Sequence, residues 1–189
     1  MDPAEHHDEN RDRALEELLA TSHADGLRDR RLRGMVAREE STLSGVLVTL
    51  AEQRARVTIR TSSGWECRGS LTAVGTDVAV LRGDDFRSYS VRTSHISSVA
   101  PDRTSVPLAG NVTGDRQGSA LSFESLLRDM HALDAAMHVV MDGDLRAGVA
   151  SWVGIDLACI VAAGTGGPGH ALATPCFVRL DAIVAVITE

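Results

Sequence analysis

Asp77 and Asp156 stand in matched surroundings, VGTD over 74–77 and VGID over 153–156, each directly before an apolar run. Paired carboxylates at equivalent turns serve acid/base chemistry or hold a metal ion. An Asp in front of a strand also bonds its own backbone in a turn, and that is the stronger reading here. His23, His95, His131, His138 and His170 lack the i, i+4 spacing of a helical metal pair, and no Ser or Cys sits in a GxSxG context. His6 and His7 fall in an acidic tail expected to be disordered. Cys67, Cys159 and Cys176 show no CxxC or Cys/His spacing and read as reduced, buried thiols. The glycine-rich run Gly164 to Gly169 lacks the Lys-Ser/Thr that follows a phosphate cradle, so it reads as a hairpin loop. No catalytic, metal-binding or cofactor-binding residue is assigned, and the chain is expected not to be an enzyme.

Basic residues are the remaining chemistry. Arg28, Arg30, Arg31, Arg33 and Arg38 form the densest cluster, and on a helix they would track a nucleic-acid backbone or pair with the acidic leader as a solvated face. The solvated face is favoured. Arg54, Arg56, Arg60, Arg68 and Arg92 would extend the surface if they shared one side, as contacts for nucleic acid or a partner. Charge is uneven: residues 1–40 carry 7 Arg against 11 acids, 41–100 carry 7 against 5, and 119–189 carry 3 against 8. Phosphate binding needs clustered cations, so only the first half suits RNA.

The elements that would position these residues occur twice. TLSGVLVTL over 42–50 lies on SFESLLRDM over 122–130, pairing Leu43 with Phe123, Val46 with Leu126, Leu47 with Leu127 and Leu50 with Met130, one apolar helix face. Val57 and Ile59 then fall on Met137 and Val139 in strand alternation. Gly64 matches Gly143, Gly69 matches Gly148, and apolar runs 78–81 and 157–160 follow. After a loop longer in the second copy, Val91, Arg92, Ile96 and Val99 align with Val178, Arg179, Ile183 and Val186. About five strands in some fifty residues must curl to bury one face, with Gly69 and Gly148 at the bends.

The expected architecture is mainly β with α: a helical leader over 1–40 with helices at 11–21 and 27–40, one small barrel over 41–100, a linker over 101–118 and a second barrel over 119–189. The first residues carry no apolar core, and no segment approaches the roughly 18 apolar residues of a membrane span, so a cytoplasmic protein is expected. All nineteen basic residues are Arg, which reads as codon bias of a GC-rich bacterial genome.

Helix, strand and turn, glycine-bearing bent strand, Gly-x-Asp turn, apolar strand and a final Val-Arg-x-x-x-Ile together resemble the Sm-like (LSm) family of small β-barrels. The chain is also similar to uncharacterised actinobacterial proteins with one such barrel behind an acidic, Arg-rich leader. The resemblance implies tandem Sm-like barrels, each a helix plus about five strongly bent antiparallel strands. It also implies assembly through strand edges into a homo-oligomer, and RNA held by a turn Asp and a hairpin Arg. Asp77 and Asp156 match that Asp, and Arg92 and Arg179 that Arg; the family's following Asn and Arg-Gly glycine are replaced, the latter by Thr93 and Leu180. The function expected is a scaffold assembling with itself or a protein partner, with an RNA-binding regulator using the basic helix and first barrel as the alternative.

Overall fold

The structure, a computed structural model, describes residues 42–102, 118–162 and 175–189. The expected leader helices, with Arg28, Arg30, Arg31, Arg33 and Arg38, lie outside the described residues, as do most of the 101–118 linker and the Gly164 to Gly169 loop.

The protein is β-rich. Helix α1 (Leu43–Glu52) precedes β1 (Arg56–Thr61), β2 (Glu66–Val74), β3 (Val78–Arg82), β4 (Ser88–Arg92) and β5 (Ile96–Pro101). Helix α2 (Phe123–Ala132) precedes β6 (Met137–Met141), β7 (Asp144–Val153), β8 (Leu157–Val161), β9 (Cys176–Arg179) and β10 (Ile183–Thr188). Thr42 caps α1 by accepting the Gly45 amide at 3.1 Å, while Ser122 and Ser125 cap α2 reciprocally, each side chain accepting the other's amide at 3.0 Å. Leu47, Leu50, Phe123 and Leu127 turn the apolar helix faces into the interior.

The expectation of two separately closed Sm-like barrels is overturned. All ten strands form one open antiparallel sheet in the order β5-β1-β2-β3-β4-β10-β6-β7-β8-β9. The junction is the β4–β10 ladder, where Val91 faces Ala185, Ser90 faces Val186 and Tyr89 faces Ile187. The physical reason lies in β10, whose run IVAVI is buried on both faces. A half closed on itself would leave one of those faces in water, at a cost of about 1.5–3 kcal/mol for each large aliphatic side chain. Paired to β4, the strand instead sends Val184, Ala185 and Ile187 into the first core and Ile183 and Val186 into the second. Val78 of β3 crosses the other way, into the second core.

Within this sheet the two halves place equivalent residues alike. Val57 lies opposite Gly69 and Met137 opposite Gly148. The ladders slip at Leu71/Ala73 and again at Ala150/Trp152. Asp77 accepts the Thr93 amide through its backbone carbonyl at 2.9 Å, and Asp156 the Leu180 amide at 2.8 Å. Gly69 and Gly148 bend their strands so closely over the next one that an added Cβ would lie 2.5 Å from the Arg82 carbonyl oxygen or 2.4 Å from that of Val161.

Candidate assembly interface

The junction between the halves is held by polar contacts as well as by its ladder. Asp77 Oδ1 accepts the amide of Phe123, the first residue of α2, at 2.7 Å. Arg92 donates to Asp77 Oδ2 at 3.2 Å and to the Leu180 carbonyl at 3.0 Å, and its guanidinium lies 4.4 Å over the Phe123 ring. His95 Nε2 lies 3.0 Å from the Asp181 carbonyl. A charged carboxylate at a helix N-terminus also complements the helix dipole.

The turn Asp and hairpin Arg of both halves meet in a single cleft of about 520 Å³ lined by Asp77, Arg92, Asp156 and Arg179. Arg92 is occupied by its own chain, Arg179 pairs with Asp181 at 2.5 Å, and Phe123 lies buried beneath Arg92. Among the described residues no aromatic face lines this cleft. The arrangement is suited to holding protein segments together; base recognition needs a stacking surface.

The other candidate cations divide. Arg56, Arg60 and Arg68 point outward from β1 and β2, and each meets a carboxylate. Arg56 pairs with Asp84 and, at 3.1 Å, with Asp102; Arg68 reaches Asp102 at 2.6 Å, and Arg60 reaches Glu66 at 2.9 Å. Arg54 ends α1 in the left-handed region, φ 47°.

Among the described residues two edges of the sheet remain, β5 and β9. On β9, Phe177 is 64% exposed and packs against Trp152 of β7 at 6.1 Å between ring centroids. Its equivalent in the first half is Ser90, only 2% exposed because β10 covers it. These aromatics were missed by sequence reasoning; setting the halves side by side, Ser90 against Phe177 and Ala73 against Trp152, is the signal that finds them. On β5 the face toward the core carries Ile96 and Val99, and the other side carries Ser98 beside Arg60.

Beneath the first half, burial and then the nearby Glu66 carboxylate push the Cys67 thiol up to about 12. Tyr89 is also pushed up to about 12, by burial first and then by its 2.7 Å hydrogen bond to Asp85, whose carboxyl that bond holds below the usual range. Both groups stay neutral, and neither serves as a nucleophile at ordinary pH. No protein-family model matches this chain, and no curated protein matches it. Among the described residues no helix is long and apolar enough to cross a membrane.

Proposed function

We propose that the protein is a non-enzymatic scaffold made of two copies of one unit, assembling with further copies of itself edge to edge. The observation that carries this is the β4–β10 ladder inside the chain, because β9 and β5 are the counterparts of its two strands and both lie at the ends of the sheet. Unpaired edges are templates for strand addition. Carrying the internal register over sets Val178 of one copy opposite Ser98 of the next and Phe177 opposite Val99. Phe177 then points to the apolar side of β5, as Ser90 points to Val186, while Ser98 takes the place that Ala185 holds in the internal ladder. Such a head-to-tail contact is heterologous and repeats into a ring or a filament.

A kinship with Sm-like proteins, whose members meet through edge strands, belongs to the same proposal. So does a cytoplasmic location, which suits three free thiols. Sedimentation at micromolar concentrations tests the reading. Masses at multiples of 20.1 kDa are expected, with Phe177→Arg returning the chain to monomer. A wild-type chain that stays monomeric overturns it.

RNA binding is the second reading, favoured by the shared outward face of Arg56, Arg60 and Arg68. It is the weaker one, because a phosphate must displace Asp84, Asp102 and Glu66. It requires filter retention of an oligonucleotide that falls steeply with salt, whereas the scaffold reading expects none.

A further inference from the structure

We infer that Asp156 and Arg179 form a docking notch for the N-terminus of helix α1 of a second copy, an inference that rests on the head-to-tail reading above. The notch already exists once, filled. Asp77 takes the first amide of α2, Arg92 covers the Phe123 ring, and the Thr76 amide donates to the Leu121 carbonyl at 2.8 Å just before the helix. Asp156, Arg179 and Ile155 are their counterparts in the second half, facing the same cleft. In that shared cleft, Ile155 is 91% exposed, and the Asp156 carboxylate has no hydrogen-bond or ion-pair partner among the described residues.

The occupant is visible at the other end of the molecule. Leu43 opens α1 as Phe123 opens α2, yet Leu43 is 41% exposed while Phe123 is fully buried. Both lead capped helices of ten residues, so the difference comes from what lies over them. Asp77 and Arg92 lie over Phe123; among the described residues nothing equivalent lies over Leu43. Joining β9 to β5 in the internal register brings the Asp156 and Arg179 notch of one copy to the α1 start of the next. Asp156 Oδ1 then accepts the Leu43 amide, and Arg179 leaves Asp181 for the Thr93 carbonyl, as Arg92 binds that of Leu180. Leu43 offers no ring for the guanidinium, so the inter-chain clamp is the weaker of the two.

The experiment uses the full chain. A photo-reactive benzoylphenylalanine at Ile155, in an equal mixture of light and isotopically heavy chains, is expected to give mixed-isotope cross-links to the segment around Leu43. Asp156→Ala is expected to weaken self-association about tenfold or more, the scale of a charged hydrogen bond, and Asp156→Asn, which keeps an acceptor, to restore part of it. Assembly of wild-type strength in Asp156→Ala, or cross-links confined to other segments, overturns the notch and leaves edge assembly standing, whereas a two-fold dimer joined through like edges overturns the notch and the head-to-tail register together. A chain that is monomeric at every concentration overturns both.

Discussion

Asp77 accepts the Phe123 amide at 2.7 Å, so a turn of the first half acts as the cap that starts the helix of the second. Its other oxygen takes Arg92 at 3.2 Å, and Arg92 in turn holds Leu180. Removing the carboxylate leaves a helix amide and a largely buried guanidinium without their acceptor. Asp77→Ala should therefore destabilise the chain by about 1.5–3 kcal/mol, and Asp77→Asn by less. Urea unfolding measures this. With Arg92→Ala the losses should fall short of additive, since both changes cut one network.

The bent strands make a second prediction. Gly69→Ala and Gly148→Ala each drive a methyl into a backbone carbonyl that is fixed by its own ladder. Each should cost about 1–3 kcal/mol in thermal or urea unfolding, the usual price of overpacking. Gly64→Ala meets no neighbour but sits at φ +84°, so its cost is the conformational one, about 1 kcal/mol. A Gly69→Ala chain as stable as the wild type would mean that β2 does not fold tightly over β3.

Periodicity made the local elements readable, because it reports which face of an element needs cover. Leu47 with Leu50 and Val57 with Ile59 show one-sided burial, and helix and strand stand where those patterns put them. What covers a face is a matter between elements. The doubly apolar IVAVI of β10 gives no hint that half of it faces the core of the other half of the chain, so closed barrels were expected where a shared sheet forms. Phe177 is one aromatic in a four-residue strand, and only the fold shows that it is exposed among the described residues. Arg56 and Arg68 were legible as cations; that Asp84 and Asp102 come back to neutralise them depends on contacts across 28 and 34 residues.

Thiol reactivity separates the three cysteines. Cys67 and Cys159 are buried, and Cys67 is held as a thiol by its surroundings. Cys176 is partly exposed, with Arg146 Nη1 3.0 Å from its sulfur. An aromatic disulfide reagent at neutral pH should label Cys176 first and the other two only on unfolding. Assembly through β9 should slow the Cys176 reaction as protein concentration rises. Rapid labelling of Cys67 in the native chain would contradict its burial.

Tyr89 is the sole tyrosine, so the near-ultraviolet absorbance of tyrosinate reports on it alone. Its ionisation should come at about pH 12 in the folded chain, above the ordinary value near 10. Burial is the larger cause, so Asp85→Asn should bring the midpoint down only part of the way. The sign for stability follows from proton binding: between those values the folded chain holds a proton that the unfolded chain has released. The contribution of Tyr89 is therefore fully present below about pH 10 and is lost as pH rises through about 12, and Cys67, shifted the same way, adds to the loss. Alkaline unfolding of Tyr89→Phe should accordingly begin at higher pH than that of the wild type. A tyrosinate midpoint near 10 in a chain that remains folded would remove the Tyr89–Asp85 contact from the account.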